Sequence, residues 1–333
     1  MVVGPNPEIS IVIPTLRGGD PLRECLRSLE EQDSISPELL LVANGPDAVV
    51  DERLGLRSVS EVIRNPTNLG FAAAVNQGIR RSRAPWVLVL NDDVVVPPDF
   101  LREVVAATGH GFDAIATRVV LKGTREIDSA GIVALPDGSA EERLRGEDAS
   151  SERANRAAEI FGASGAAAVY SRRLLEATGA FDEGYFAYFE DVDLAWRARF
   201  AGFRCLYWPR ASLEHLHSAS WGRVSERKLF LLERNRLWTL WKDYPLPRCI
   251  LSPVHRGASL VRLSHSAYVS ETTRKELGGM GTSRLARIEL AAYLSAARRF
   301  RALWRDRRKT DSALRRRVVQ EWLETRDRPV ALT

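Results

Sequence analysis

The chain has 333 residues, 45% hydrophobic and 27% charged, a balance that excludes a disordered protein and leaves room for a core domain with an appendage. The net charge of +5 is concentrated: Arg298 to Arg328 holds twelve Lys/Arg against five Asp/Glu, so a basic tail follows a near-neutral body. Cys25, Cys205 and Cys249 stand far apart, which excludes a disulfide framework or zinc ribbon and predicts a reducing compartment.

The opening M-V-V-G-P-N-P-E lacks the basic and apolar regions of a secretion signal, so a cytoplasmic protein is expected. Ile9–Ile13 is a β-branched run suited to a buried parallel strand. Asp20-Pro21 reads as a helix N-cap and first helical position, followed by Leu22, Leu26 and Leu29 at helical spacing. Leu39–Val42 and Val59–Ile63 read as strands and Phe71–Ser82 as a helix. Trp86–Leu90, the most apolar strand, runs into Asn91-Asp92-Asp93. Strands alternating with helices predict an open, mostly parallel α/β sheet, whose ligand sits beyond the carboxyl ends of the strands. Further on, the charged stretch Glu141–Arg156 reads as an exposed loop or short helix. Gly162–Val169 reads as a strand, Ser171–Thr178 and Glu190–Ala201 as helices, Arg204–Trp208 as a strand ending before Pro209, and Ser225–Tyr244 as a long amphipathic helix. Beyond Pro247 only helical pattern remains, rich in Arg, Ala and Leu. Residues 1–246 are therefore expected to form the α/β domain, with about 1–120 and 121–246 as its two halves. Residues 247–333 are expected to form a basic helical extension.

Three groups of side chains carry chemistry. Asn91-Asp92-Asp93 emerges where clustered acids need a cation or a hydrogen-bond network, although Pro97-Pro98-Asp99 soon after also fits an ordinary helix start. Glu190-Asp191-Val192-Asp193 follows Phe181, Tyr185, Phe186, Tyr188 and Phe189. Acids against such an apolar wall suit proton abstraction, while acids at a helix start also suit the macrodipole. His215 and His217, two apart at a strand end, share one face and fit either a metal ligand with its neighbour or a pair of surface histidines.

In this order the motifs resemble an inverting family 2 glycosyltransferase of GT-A fold. They are I-S-I-V-I-P-T at 9–15, V-A-N-G at 42–45, R-N-P-T-N-L-G-F-A-A-A-V-N-Q-G at 64–78 and L-N-D-D-V at 90–94. F-D-E-G-Y-F-A-Y-F-E-D-V-D-L-A-W-R at 181–197 and H-L-H at 215–217 complete the set. N-L-G-F and E-D-V-D-L are similar to the branch of rhamnosyl- and galactofuranosyltransferases of cell-surface polysaccharides. The resemblance implies that Pro14, Thr15, Arg17 and Asn44 line the base and ribose pocket and that Asn68, Gly70 and Asn76 border the nucleotide. It places Asp92 at the variable position of the metal motif and makes Asp93 and His215 the ligands of Mg²⁺ or Mn²⁺, with His217 as the fallback. Asp191 matches the catalytic base. Ala43 stands where many relatives carry an acid that pairs with the base ring, and Asn91 replaces the first acid of the metal motif.

The implied activity moves a sugar, with dTDP-rhamnose the leading donor, onto a hydroxyl of a glycan or lipid-linked acceptor. A non-catalytic nucleotide-sugar-binding or scaffold protein is the competing class. No apolar run reaches the 18 residues of a membrane span. Leu290, Leu294, Ala297 and Trp304 instead form a helical stripe beside Arg298, Arg299, Arg301 and Arg305, the composition of an interfacial helix. The expected partners are thus a donor, an acceptor and the anionic inner face of the cell membrane, with no nucleic acid.

Overall fold

The computed structural model describes residues 7–33, 35–50, 58–216, 225–251, 282–325 and 327–330. His217 lies outside them. The chain begins with β1 (Ile9–Thr15), α1 (Gly19–Glu30), β2 (Glu38–Asn44), β3 (Glu61–Asn65), α2 (Phe71–Arg81), β4 (Trp86–Leu90), β5 (Val94–Val95) and α3 (Phe100–Thr108). Five strands follow, β6 (Ala114–Leu121), β7 (Ile127–Ser129), β8 (Ile132–Ala134), β9 (Ala140–Glu142) and, after the short α4 (Glu152–Asn155), β10 (Ala158–Ile160). Next come β11 (Ala167–Ser171), α5 (Arg172–Thr178), α6 (Glu190–Phe200) and β12 (Cys205–His215). The last elements are α7 (Glu226–Asp243), α8 (Thr282–Arg307), α9 (Ser312–Glu324) and β13 (Asp327–Pro329).

The central strands lie in the order β12-β6-β11-β4-β1-β2-β3, and all but β11 run the same way. Every residue of β1 and β2 is buried, as a parallel sheet covered on both faces requires. Alternation sends Ile9, Ile11 and Ile13 into one apolar layer with Leu22, Leu26 and Leu29 of α1, and Val12 into the other with Ala72, Ala74 and Val75 of α2. The sheet is the mostly parallel, helix-flanked α/β layer that the strand and helix signals predict.

The chain divides into two compact units. Residues 1–132, 142–217 and 327–333 form the first, and residues 133–141 with 218–326 the second. The expected boundary near 247 falls elsewhere because α7 belongs with the C-terminal helices. In that second unit Tyr244 donates through its hydroxyl to the Leu135 carbonyl at 2.8 Å, and Arg236 is paired with Glu233 and the Asp137 carbonyl. The first unit recovers β13, which pairs with β10 in antiparallel register.

Four local expectations change. Helix α1 starts at Gly19 behind Gly18, so Asp20 sits inside the first turn, paired with Arg23, and is not the cap. The third strand begins two residues later, at Glu61. Strand β12 does not stop at Pro209; its register with β6 shifts between Tyr207 and Ser212, and this irregularity admits the proline, which has no N–H for the ladder. Glu141–Arg156 is not simply exposed: Arg143, Leu144 and Ala154 are buried, with Arg143 paired to Asp327 at 2.6 Å.

Candidate active site

The site forms in the first unit at the carboxyl edge of β1, β2 and β4. Pro14 and Thr15 end β1 as buried residues. The Thr15 hydroxyl donates to Asp92 and accepts the Gly18 N–H at 2.8 Å, so the turn after β1 is tied to the acids after β4. Arg17 is exposed beside it. Burial, opposed by the Thr15 bond and assisted by Asp93, pushes the Asp92 carboxyl up to about 6.

The loop after β3 is organised by Asn44. Its amide nitrogen donates to Asn68 Oδ1 at 3.2 Å and to the Gly70 carbonyl at 3.1 Å, while its Oδ1 accepts from Asn65 Nδ2 and the Leu69 N–H, both at 3.1 Å. Asn68, exposed, also accepts the Gly70 N–H at 2.9 Å. Asn44 therefore builds the loop, and Asn68 and Gly70 form its rim. Asn76 of α2 faces the segment that leads to Asp191. Its amide is engaged by both backbone groups of Phe181, at 2.8 and 3.1 Å, and by Glu183 at 3.1 Å, so it anchors the segment leading to Asp191.

That segment is wound tightly. Phe186, Tyr188 and Phe189 all have φ of 68°, a left-handed conformation that costs non-glycine residues about 1–2 kcal/mol each. Asp191 follows in the first turn of α6, half-buried, with Oδ2 accepting the Gly165 N–H at 2.9 Å and Oδ1 the Val192 N–H at 2.8 Å. Burial raises its carboxyl above the ordinary range, against the pull of those two N–H bonds. A Cβ on Gly165 would stand 3.4 Å from Asp191 Oδ2, an ordinary contact.

Sheet register joins the neighbourhood of Asp191 to the acids after β4. Leu90 of β4 lies opposite Ala167 of β11, and the Asn91 N–H donates to the Ala166 carbonyl at 3.0 Å, one residue from Gly165. Asp93 and His215 meet on the other side. His215 ends β12 between Leu121 of β6 and Val94 of β5, and its Nε2 lies 3.0 Å from Asp93 Oδ1. Burial alone would lower the His215 pKa; hydrogen bonds to Asp128 and Asp93 outweigh it and raise it to about 9.

An imidazole beside two carboxylates suits a hard divalent cation that takes its remaining ligands from a diphosphate. Among the described residues no group of three His, Cys, Asp or Glu side chains is spaced to hold an ion unaided.

The sequence profile of glycosyl transferase family 2 matches residues 10–179, the stretch holding β1 through the Asn91–Asp93 turn to the Gly165 loop. The chain belongs to glycosyltransferase family 2. It is 28% identical over 232 residues to the pre-mycofactocin glycosyltransferase of Mycobacterium tuberculosis, covering 67% of this chain and 46% of that protein. The chain spans less than half the length of the curated relatives it matches. Among solved structures, a mannosyltransferase from Pyrobaculum calidifontis in complex with GDP-Man and Mn²⁺ superposes with a TM-score of 0.50. It is 16% identical and covers 87% of this chain and 86% of its own. GalNAc-T7 with UDP, GalNAc and Mn²⁺ gives 0.58 at 15% identity, over 80% of this chain and 53% of its own. At these identities the likeness establishes the GT-A-type α/β fold.

Two acids close to these residues, Asp128 and Glu142, escaped the sequence. Asp128 accepts from His215 Nδ1 at 2.8 Å. Glu142, on β9, accepts from the hydroxyls of Ser129 and of Ser164 at 3.1 Å, the residue before Gly165. Burial, against the Ser129 bond and with Asp191 adding, pushes its carboxyl up to about 7. Glu190 is buried beside Asp191, and burial and that neighbour hold its carboxyl well above the ordinary range. The D-S pair in I-D-S-A-G at 127–131 was the available signal, an acid and a hydroxyl on a short strand.

Proposed function

We propose that this family 2 member is an inverting glycosyltransferase that moves a sugar from a nucleoside-diphosphate donor to an acceptor hydroxyl. The observation that carries the reading is the link Asn91–Ala166–Gly165–Asp191, which brings a burial-raised carboxylate to the sheet edge holding Asp93 and His215. Asp191 takes the proton of the acceptor hydroxyl as that oxygen attacks the anomeric carbon opposite the leaving diphosphate. A single base and direct displacement invert the anomeric centre. Asp93 and His215 would hold Mg²⁺ or Mn²⁺, which supplies charge neutralisation of the leaving diphosphate. The GDP-Man, UDP and Mn²⁺ bound by the two structural relatives support a metal-assisted diphosphate donor.

We take dTDP-rhamnose as the donor, on the N-L-G-F and E-D-V-D-L strings, and a glycan or lipid-linked hydroxyl of cell-surface polysaccharide as acceptor. Peripheral contact with anionic membrane on its cytoplasmic side accompanies this reading. No helix among the described residues is long and apolar enough to cross a membrane. On α8, however, Leu290, Tyr293 and Leu294 are exposed, and Arg298, Arg301 and Arg305 continue the outward stripe. Hydrolysis of dTDP-rhamnose, UDP-sugars and GDP-sugars, with Mn²⁺ and with EDTA, tests the function. Selective turnover of dTDP-rhamnose with Mn²⁺ is expected; turnover of no donor refutes the activity, and full turnover in EDTA refutes the metal.

A further inference from the structure

We propose that Asp128 is the positioning residue of a cation-binding histidine, fixing which ring nitrogen of His215 faces the metal. The inference rests on the metal reading above and concerns a residue outside the family 2 motifs of this sequence.

Asp128 owes its placement to an irregularity in the sheet. Strand β7 pairs with β6 through Ser129 opposite Val119 and Ile127 opposite Val120, so Asp128 is the extra residue of a bulge. Bulges re-aim side chains next to functional sites. Here Asp128 Oδ2 lies 2.8 Å from His215 Nδ1, while Oδ1 faces Arg145 at 3.3 Å. The His215 backbone is fixed as well, with its carbonyl accepting the Lys122 N–H at 3.0 Å and the following Leu216 N–H donating to the Asp93 carbonyl at 2.8 Å.

With main chain and Nδ1 both held, the ring of this buried histidine has one orientation, and Nε2 is the atom directed at Asp93 Oδ1, 3.0 Å away. An Nδ1–H that donates to a carboxylate leaves the Nε2 lone pair as the ligating one, the arrangement that orients metal-bound histidines in general. Removing the carboxylate takes away one of the two side-chain hydrogen bonds that orient the ring, the one at Nδ1. Carboxylates in this position typically contribute 10–100-fold to metal affinity.

The test titrates Mn²⁺ into the full chain by electron paramagnetic resonance with UDP, dTDP or GDP present, which reads metal affinity without turnover. Wild-type protein is expected to bind Mn²⁺ with at least one of the three. Asp128→Ala should bind it about 10–100-fold more weakly, and Asp128→Asn, whose amide oxygen still accepts the Nδ1–H, less weakly than that. In a His215→Ala background, Asp128→Ala should add no further loss, because its effect passes through the ring. A purely structural role would weaken binding equally in both backgrounds, and that result overturns the inference, as does unchanged affinity in both Asp128 variants. Should Asp128→Ala not fold, the near-isosteric Asp128→Asn decides alone, and wild-type affinity in it refutes the proposal. Absence of Mn²⁺ binding by the wild type would remove the metal reading and the inference together, so the two failures are separable.

Discussion

Gly70→Ala probes whether the loop after β3 and the segment leading to Asp191 touch. Gly70 has φ of 89° and ψ of 164°, a region essentially reserved for glycine, and forcing alanine there costs about 1–3 kcal/mol. A Cβ would also stand 2.5 Å from the Phe186 carbonyl oxygen and 2.6 Å from its ring, with main chain on one side and a left-handed residue on the other. Overpacking of this kind typically costs about 1–3 kcal/mol. The sum, about 2–6 kcal/mol, corresponds to a fall in Tm of at least about 4 °C for a unit of this size. Relief by displacement would pull Phe186 away from the Ala72 N–H, now 3.3 Å from its carbonyl, and shift the turn that ends at Asp191. Gly19→Ala separates the two costs, because Gly19 has φ of 77° but nothing within 4 Å of a Cβ. Thermal unfolding of both variants should show Gly70→Ala falling further than Gly19→Ala. Equal shifts would refute the contact between the loop and Phe186.

Asp191→Asn should lower transfer about 10²–10⁴-fold while leaving donor affinity within a few-fold, since the base acts on the acceptor; calorimetry and turnover check the two halves, and a loss under tenfold would contradict the assigned role. Glu142, whose folded pKa is raised from its ordinary value to about 7, holds a proton in the folded state that the unfolded chain releases. Wild-type stability should therefore decline relative to Glu142→Gln as pH rises from about 4.5 to about 7; parallel Tm–pH curves for the two proteins would refute the raised pKa of Glu142. Replacing exposed Leu290 and Leu294 with Glu should abolish flotation with anionic vesicles and leave donor hydrolysis intact, whereas undiminished flotation would exclude α8 as the docking surface.

Strong local signals made half of this legible. β1, α2 and β4 stand where the apolar runs put them, because buried parallel strands and an alanine-rich helix leave few alternatives to their hydrophobic pattern. The same pattern puts Asp93 and His215 at strand ends, where they meet, whereas the roles expected of them and of Asp191 rest on the family resemblance. What could not be read depends on pairing across distance. β7 and β9 have three residues each, too few for a period, and Glu142 sits in a stretch whose charges resemble solvent-facing sequence. Arg143 is buried because Asp327 and the Tyr207 ring, 4.8 Å below its guanidinium, lie far along the chain. The bonds of Asn76 to Phe181 were equally hidden, because an amide in a loop-to-helix motif says nothing about which carbonyl it will find.

The pairing of β13 with β10 has a bearing on how the chain matures during synthesis. Glu159 and its partner Arg328 are separated by most of the second unit, so β10 leaves the ribosome long before the strand that covers its edge. Through that interval the sheet has an open hydrogen-bonding edge, the feature through which nascent chains associate wrongly. Arg143 waits on the same event, since Asp327 brings its carboxylate only with β13, and a buried cation without its partner costs about 3–5 kcal/mol. Closure of this edge is therefore a late, vectorial step, and variants at Asp327 should lower soluble yield in cells more than they lower the activity of the protein that does fold.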